Sequence, residues 1–350
     1  MSQKTAVITG VSGQDGSYLA DLLLEKGYTV VGILRRTSEF ERENIRHLKG
    51  HVIFEYGDLL DGSSLERIIQ KHTPHEVYNL AAQSVPADSW SHPLVTGEVT
   101  ALGVVRMLEA VRKFAPKARF YQGSSREIFG GVRQDVMNED TPFLPNNPYG
   151  IAKLYGHLMV RNTRESYGMF ACGGILFNHE SPRRGLQFIS RKVTMAAACI
   201  KLGVEPPLDE SGAPLVRDGK VHLGNLDAQR DWGYAKEYVE AMWRMLQQPE
   251  PRDYVIATNT IHSVRDLCRI AFAHVGLEWR DHVVSDPQFT RPTEITASRG
   301  DYALAKRDLG WEPRTSFEDL VKLMVDADLA RLSRAPVAAP ADARREAWRP

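Results

Sequence analysis

Two pairs of residues near the middle of the chain have the types and spacing that proton transfer at carbon requires. Tyr149 and Lys153 stand four positions apart in a helical pattern, so they share one helix face, one turn apart. Because an ammonium beside a phenol favours the phenolate, we expect Tyr149 to act as a base well below its usual pKa of about 10. Ser125 and Glu127 add a hydroxyl and a carboxylate from a strand end. The four together predict a site that moves a hydride and also takes a proton from carbon.

The first elements of the chain supply the context for this set, since a Tyr-x-x-x-Lys spacing alone also occurs on ordinary helix surfaces. Thr5–Thr9 is a short apolar run that predicts a buried strand, and residues 17–26 predict a helix. Gly10, Gly13 and Gly16 lie between them. This order is typical of a dinucleotide-binding turn, in which a helix N-terminus offers N–H groups to a pyrophosphate. An ordinary glycine-rich turn is the alternative.

The end of the second predicted strand indicates which dinucleotide is bound. Residues 29–34 are followed by Arg35 and Arg36, where a site for NAD usually places an acidic residue. Guanidinium groups match phosphate oxygens, so the pair predicts NADP(H); a solvated basic turn is the alternative. Asp58, at the end of a third strand, is placed to accept from the adenine amine. Ala82, at the end of a fourth, allows close approach of the backbone to the nicotinamide.

Composition and charge argue against several classes of function. The chain has 350 residues with 44 basic and 44 acidic side chains, so it offers no electrostatic case for binding nucleic acid or an acidic membrane. Cys172, Cys199 and Cys268 have no C-x-x-C spacing and predict reduced core residues of a cytoplasmic protein without a metal site. No signal peptide and no apolar run of membrane-spanning length are expected.

The order of predicted elements indicates an α/β fold. Strands alternate with helices as in a Rossmann-type doubly wound parallel sheet, and a smaller C-terminal substrate-binding lobe follows. The expected bounds are 1–180 for the NADP-binding domain, 223–248 for a segment packing back on it, 181–222 and 249–332 for the lobe, and 333–350 for a disordered tail. We also expect a helix over residues 231–248 and a polar surface loop over 201–221.

Three longer blocks of sequence resemble one family closely. They are residues 174–185, with Asn-His-Glu-Ser-Pro at their centre, residues 223–233, with Gly-Asn-Leu-Asp and Arg-Asp-Trp-Gly, and residues 291–294. The family is that of the GDP-mannose 4,6-dehydratases, a nucleotide-sugar branch of the extended short-chain dehydrogenases. The resemblance covers residues 4–332, nearly the whole chain. It implies a bidomain fold, bound NADP(H), a GDP-sugar substrate and a homo-oligomer, either a dimer or a tetramer.

The motifs and the resemblance together assign roles to individual positions. The catalytic positions are Ser125, Glu127, Tyr149 and Lys153. The cofactor-binding positions are Gly10, Gly13, Gln14, Asp15, Gly16, Arg35, Arg36, Asp58, Leu59, Leu80, Ala82, Tyr149, Lys153, His179 and Arg184. The substrate-binding positions are Ser84, Asn178, Lys192, Arg230 and Arg291. The basic members of this last group suit a pyrophosphate, which calls for Arg or Lys.

Four departures from the family pattern fall at or near the expected sugar site. They are Arg126 in place of Ser, Val85 and Pro86 in place of His-Val, Asn146 and Asn147 in place of Arg-Ser, and a longer connection at residues 204–221. They leave the reaction core intact, but they leave the hexose open, and a heptose or another modified GDP-sugar is conceivable. Arg126 could instead point outward to solvent, as lone arginines usually do.

The resemblance implies a redox-neutral dehydration. In it Tyr149 takes the proton of the sugar 4-hydroxyl while a hydride leaves C4, and Ser125 hydrogen-bonds O4. Glu127 removes the C5 proton and protonates the departing 6-hydroxyl, and the hydride returns to C6. The product expected from GDP-mannose is GDP-4-keto-6-deoxymannose.

Three other functions stay open at this point. A nucleotide-sugar 4-epimerase of the same fold needs Tyr149 and Lys153 but not Glu127. A decarboxylase can use a Ser-x-Glu arrangement, although the block at residues 178–185 resembles the dehydratases. A non-catalytic NADP-binding sensor would have an incomplete catalytic set, whereas here the set is complete.

Overall fold

Parallel strands and helices alternate along the chain, which the computed structural model describes over residues 3–37, 43–209, 212–286 and 299–334. The strands are β1 (Thr5–Thr9), β2 (Thr29–Leu34), β3 (Ile53–Tyr56), β4 (Glu76–Asn79), β5 (Arg119–Ser125), β6 (Val136–Met137), β7 (Ala171–Leu176), β8 (Asn178–Glu180), β9 (Val221–Leu223), β10 (Gln229–Arg230), β11 (Trp232–Tyr234), β12 (Tyr254–Ile256), β13 (His262–Ser263), β14 (Val283–Ser285) and β15 (Arg299–Gly300). The helices are α1 (Gln14–Glu25), α2 (Gly62–His72), α3 (Pro93–Thr96), α4 (Gly103–Phe114), α5 (Pro148–Tyr167), α6 (Ile189–Leu202), α7 (Ala235–Met245), α8 (Val264–His274), α9 (Trp279–His282), α10 (Ala303–Leu309) and α11 (Phe317–Arg334). Short 3₁₀ segments cover Glu43–Leu48, Asp88–Trp90 and Arg126–Phe129, and a π-helical stretch covers Gly97–Leu102.

The central sheet has seven strands in the order β12-β7-β5-β4-β1-β2-β3. Every neighbouring pair is parallel. The chain runs outward from β1 first to one edge and then to the other, so the carboxyl ends of β1 and β4 border the crevice where such sheets bind ligands. The predicted doubly wound Rossmann-type sheet is therefore confirmed.

Helices cover both faces of the sheet because its strands are apolar on both sides. Within β1, Ala6 and Ile8 face a core that includes residues of α1 and α7, and Val7 faces a core that includes residues of α2, α4 and α5. All three side chains are fully buried, as a parallel strand between two helical layers requires. The layers hold the carboxyl edge of the sheet rigidly, and the functional residues lie along that edge.

A further hydrophobic core, distinct from the two that cover the sheet, lies among α6, α8 and α11. In it the rings of Trp232 and Phe317 stack with centroids 5.3 Å apart. Arg191 of α6 pairs with the buried carboxylate of Asp328 of α11, which also accepts from the Thr194 hydroxyl at 2.8 Å. A buried ion pair with further hydrogen bonds specifies how two helices meet more than it stabilises them.

Several element bounds differ from the sequence predictions for identifiable reasons. The helix expected over residues 231–248 begins at Ala235, because Trp232–Tyr234 pairs in parallel with β8 instead. The last helix extends to Arg334, so the first two residues of the expected tail are helical, and residues 335–350 lie outside the described chain. The predicted domain bounds stay a prediction. They count Tyr254–Ile256 with the lobe, whereas this segment is an edge strand of the central sheet.

Candidate active site

The four expected catalytic residues line one cavity of about 680 Å³ at the carboxyl edge of the sheet. Strand β5 ends at Ser125, and the 3₁₀ turn that follows carries Glu127. Helix α5 begins at Pro148 and carries Tyr149 and Lys153 on one face. Each of the three ionisable side chains is less than a tenth exposed, so their charges act on one another with little screening.

Burial, rather than the neighbouring lysine, dominates the electrostatics of Tyr149. Burial raises the pKa of Tyr149 above its ordinary value, the charge of Glu127 raises it further, and a hydrogen bond with Ser125 offsets part of the increase. Burial also lowers the pKa of Lys153 to about 8. The expectation that the Tyr149 pKa lies well below 10 is therefore wrong for the protein without its cofactor, since burial penalises the phenolate more than the neighbouring groups stabilise it.

Lys153 is held by the sheet as well as by its own helix. Its Nζ donates to the carbonyl of Gly123 in β5 at 2.7 Å and lies 5.7 Å from the centre of the Tyr149 ring. Gly123 could not be predicted from the sequence, because a backbone carbonyl partner does not depend on the residue type. This contact fixes the ammonium on the side of the cavity where Tyr149 lies.

Glu127 is fixed by Asn147, a residue that the sequence analysis noted only as a departure. The Asn147 Nδ2 donates to Glu127 Oε2 at 2.8 Å. The Glu127 backbone N–H donates to the Ser125 hydroxyl oxygen at 3.3 Å. A signal for Asn147 existed in the sequence, since Asn before Pro is a strong helix-start pattern, but nothing there indicated its contact with Glu127.

The turn between β1 and α1 forms a cradle in which side chains have no room. Gly10 has φ +69°, and a Cβ there would lie 2.9 Å from the backbone nitrogen of Ala81. A Cβ at Gly16 would collide with the carbonyl oxygen of Gly10. Gly13 is the N-cap of α1 and offers no side-chain cap, so the first N–H groups of the helix stay available to a ligand. This cradle fits the pyrophosphate of a dinucleotide.

An acidic residue, Asp15, lies in the first turn of α1 and contacts His179. His179 Nε2 lies 2.9 Å from Asp15 Oδ2, and His179 Nδ1 lies 2.7 Å from the carbonyl oxygen of Phe177. Burial alone would lower the pKa of His179, but the charge and the hydrogen bond of Asp15 outweigh it and raise the pKa. Burial opposes ionisation of Asp15, yet His179 and Arg184 lower the pKa of this carboxyl. Asp15 is therefore held at the start of α1 as the hydrogen-bonded partner of His179.

Gln14, also expected at the cofactor, is used by the chain itself. Its Nε2 donates to the carbonyl of His179 at 3.0 Å, and its Oε1 accepts from the Ser181 hydroxyl at 2.7 Å. These bonds tie the start of α1 to the segment after β8. Gln14 thus aligns the two parts of the cavity wall.

The residues expected around the adenosine lie along the same sheet edge, outside the main cavity. Arg35 and Arg36 follow β2 with exposed side chains, and the Arg36 guanidinium lies 5.3 Å from the Tyr56 ring centre. Asp58 follows β3, and its carboxylate accepts from the backbone N–H of Leu60 at 3.0 Å. Leu59 is buried, in contact with the Gly103 position at the start of α4. Leu80 and Ala82 line the main cavity itself.

The expected substrate residues divide between the cavity and the undescribed chain. Ser84, Asn178, Lys192 and Arg230 line the cavity, together with Arg184. Arg291 lies outside the described residues. Further cavity-lining residues that the sequence analysis did not single out are Trp90, Gln187, Phe188, His222 and Asn225. They lie in different parts of the sequence and carry no motif, so only the fold shows that they share one cavity.

Most of the family departures lie on the cavity wall. Val85, Pro86, Arg126, Asn146 and Asn147 all line it. Arg126 is 4% exposed, so the alternative that it points to solvent is wrong. The described part of the 204–221 connection borders a separate, smaller cavity of about 320 Å³.

Two kinds of feature are absent from the residues that the structure describes. No group of histidine, cysteine, aspartate or glutamate side chains is arranged to hold a metal ion. No helix in the same ranges has the length and apolar character needed to cross a membrane.

The sheet, the glycine cradle and the Tyr149–Lys153 pair define an extended short-chain dehydrogenase/reductase. The family model described as GDP-mannose 4,6 dehydratase matches residues 7–324, and the chain belongs to that family. It is 46% identical to GDP-mannose 4,6 dehydratase 1 of Arabidopsis thaliana, covering 97% of this chain and 93% of that protein. It is 44% identical to GDP-mannose 4,6 dehydratase of Homo sapiens, covering 95% of this chain and 94% of that protein.

Solved structures show the same architecture. A UDP-glucose 4-epimerase of Thermotoga maritima with UDP-glucose has a TM-score of 0.80 and 25% identity, covering 94% of this chain and 99% of that chain. The resemblance to the GDP-mannose 4,6-dehydratase family is thus confirmed.

Proposed function

We propose that this protein removes water from GDP-mannose, or from a close GDP-sugar, to give the 4-keto-6-deoxy sugar. The observation that carries the proposal is that Glu127, Tyr149 and Ser125 line one cavity, with Ser125 hydrogen-bonded to Tyr149. Oxidation of a hydroxyl needs only the tyrosine and its partners. The buried carboxylate of Glu127, which lines the same cavity, supplies the further acid–base group that water loss needs.

The residues divide the proton transfers between them. In its ionised form, which the positive charges of Lys153 and of bound NADP⁺ would favour, Tyr149 accepts the proton of the 4-hydroxyl, with Ser125 as its hydrogen-bond partner. The ketone so formed acidifies the C5 proton, which Glu127 takes and then gives to the departing 6-hydroxyl. Ser125 also stabilises the developing charge on O4. Burial of all three ionisable groups keeps bulk water from competing for these protons.

NADP(H) is the cofactor that we propose, and it supplies the hydride acceptor for C4 and the donor for C6. The glycine cradle and the N-terminus of α1 would hold its pyrophosphate. Arg35 and Arg36 would bind the 2′-phosphate, because both are exposed directly after β2. NAD-binding sites usually have an acidic residue at this point of the chain, and here arginines stand in its place.

The nucleotide end of the substrate would lie against the basic residues of the cavity. We propose that Lys192 and Arg230 bind the diphosphate together with Arg291, while Asn178 and Ser84 bind neutral parts of the substrate. This arrangement directs the sugar toward Glu127 and Tyr149, at the sheet edge. Arg126 and Val85 would then border the hexose, and we propose that these two residues influence which GDP-sugar reacts.

We propose further that the protein is a cytoplasmic homo-oligomer. Ile151, Tyr155 and Leu158 form an exposed apolar stripe on α5, 57%, 43% and 42% exposed. Leu94 on the neighbouring α3 is 83% exposed. A second copy covering this stripe would remove an apolar surface that isolated proteins seldom expose. The three cysteines are buried and unpaired, which supports a reducing compartment.

The test is incubation of the purified protein and NADP⁺ with GDP-mannose and related GDP-sugars, followed by mass spectrometry. Loss of one water from the sugar is expected. A 4-epimerase would leave the mass unchanged, a decarboxylase would act only on a uronic acid with loss of carbon dioxide, and a sensor would give no product. Any of these three results would contradict the proposal.

A further inference from the structure

Asn147 lies between the two parts of the chain that carry the proton-transferring residues. It directly precedes Pro148, the first residue of α5, and its backbone is extended, with φ −147° and ψ 159°. Its side-chain Oδ1 accepts from the backbone N–H of Gly150 at 2.8 Å. Asn147 is therefore the N-cap of the helix that carries Tyr149 and Lys153.

The other end of the same amide contacts Glu127. The Asn147 Nδ2 donates to Glu127 Oε2 at 2.8 Å and lies 3.3 Å from Asn146 Oδ1. The orientation of the amide is not arbitrary, because the Gly150 N–H can only donate and a carboxylate oxygen accepts. The planar amide thus fixes the start of the helix with its oxygen and the Glu127 carboxylate with its nitrogen.

The surrounding backbone leaves little freedom for this contact to change. A Cβ at Gly150 would lie 2.6 Å from the carbonyl oxygen of Glu127, so the first turn of α5 sits directly on the 3₁₀ turn. Asn147 and Glu127 are each 8% exposed, so water does not readily replace the amide. A hydrogen bond in such a place is costly to lose.

We propose that Asn147 is a positioning residue for Glu127 in this reaction, a role that rests on the proposed dehydratase function. By donating to Oε2 it orients the carboxylate and leaves Oε1 to face the C5 proton and the 6-hydroxyl. A serine, which the family pattern favours here, caps a helix equally well but has no amide nitrogen to extend toward Glu127. Asparagine in place of serine therefore adds a hydrogen bond to the Glu127 carboxylate while it keeps the helix cap.

The test compares Asn147→Ser and Asn147→Asp with the parent enzyme. Serine keeps the cap and removes the amide donor. Aspartate keeps the cap and the shape but turns an acceptor oxygen toward the Glu127 carboxylate. In the serine variant we expect cofactor reduction by the substrate at the parental rate and water loss slowed by about tenfold or more. In the aspartate variant, whose added negative charge also acts on Tyr149, we expect water loss to be slowed more than cofactor reduction. Reduced nicotinamide should then accumulate, and a C5-deuterated substrate should show a larger isotope effect than in the parent.

A structural role alone gives a different pattern, in which both half-reactions slow by the same factor. That result would overturn the proposal, as would parental rates of water loss in both variants. If aspartate at this position prevents folding, the serine variant alone decides between these outcomes. A parent enzyme that removes no water from any GDP-sugar would overturn the proposed function, and with it this role for Asn147.

Discussion

Tyr149 and Glu127, the two groups that exchange protons with the sugar, are electrostatically coupled across the cavity. Burial is the larger cause of the raised pKa of Tyr149, and the negative charge of Glu127 raises it further. A change at Glu127 therefore alters the first proton transfer as well as the second, and variants at this position report on both.

The variant Glu127→Gln should separate the two half-reactions. The amide keeps the size of the side chain but cannot take the C5 proton, so water loss should fall by about 10²–10⁴-fold. Oxidation at C4 needs only Tyr149, Lys153 and Ser125, so nicotinamide absorbance should appear and persist. Because a negative neighbour is removed, the pH at which cofactor reduction reaches half its maximum should move downward. Stopped-flow absorbance with mass spectrometry of the product measures both effects.

Tyr149→Phe is the matched control, since it removes the first base and leaves Glu127 in place. No absorbance change should appear in this variant. Dehydration by Glu127→Gln at near the parental rate would mean that Glu127 is structural, and the dehydratase proposal would lose its chemical basis.

Replacement of both Arg35 and Arg36 by glutamine should change the cofactor preference. The exposed guanidinium groups at the end of β2 would bind the 2′-phosphate, which NAD lacks. Each hydrogen bond to a charged group contributes about 1.5–3 kcal/mol, so the Kd for NADP should rise by at least tenfold while the Kd for NAD changes little. Calorimetric titration with both dinucleotides measures this, and equal weakening of both would assign the arginines another role.

The wall residue Arg126 should influence which GDP-sugar reacts fastest. Its buried side chain borders the same cavity as Glu127, as do Val85 and Pro86. We expect a related GDP-sugar to be dehydrated faster than GDP-mannose by the parent, and Arg126→Ser to shift the ratio of kcat/KM toward GDP-mannose. A panel of GDP-sugars at equal concentration measures this ratio, with inhibition by GDP as the control for the nucleotide end. A parent with a clear preference for GDP-mannose would end the idea.

Local sequence patterns predict the dinucleotide-binding turn and the residues that line the cavity. The Gly10–Gly16 turn and the strands around it followed from local patterns, because an apolar run, a glycine turn and a helix each have a physical signature over a few positions. The four catalytic residues and most of the substrate residues were expected and do meet at one cavity. Their individual roles remain predictions until variants are measured.

Contacts between distant parts of the chain were beyond the sequence patterns. The bond of Asn147 to Glu127 joins a helix cap to a turn twenty positions earlier, and no periodicity encodes it. The raised pKa of Tyr149 was missed for a similar reason, because burial depends on all the elements that close the cavity. The start of α7 was misplaced because pairing of Trp232–Tyr234 with β8 overrides the local helical pattern.

The Asp15–His179 pair should make stability depend on pH. The pKa of His179 is raised above 6.5, so its contribution is fully present below about pH 6.5 and is lost as the pH rises through the higher folded-state value. The pKa of Asp15 is lowered from 3.8, so its contribution is lost only as the pH falls through a value below 3.8. The Asp15–His179 pair therefore stabilises the folded protein most at pH values between the folded-state pKa of Asp15 and that of His179.

His179→Asn should accordingly lower the melting temperature more at about pH 5.5 than at about pH 9, with a loss of roughly 1.5–3 kcal/mol at the lower pH. Thermal unfolding of the parent and the variant at both pH values checks this. His47→Asn is a control on an exposed pair with Asp21, where a much smaller effect is expected. A destabilisation that does not change with pH would contradict the charge pair.

Strand β12 forms the edge of the central sheet beside β7, although it follows the other six strands of the sheet by more than 75 positions in the sequence. Tyr254–Ile256 pairs with Gly174, Ile175 and Leu176, and the Asp253 carboxylate just before it accepts from the Gly173 N–H. A chain stopped at residue 180 would present β7 as an open edge of unpaired backbone groups, ready to join another molecule. Cutting the gene at the expected boundary should therefore yield an aggregating fragment, and a working half-protein would have to carry the distant strand with it.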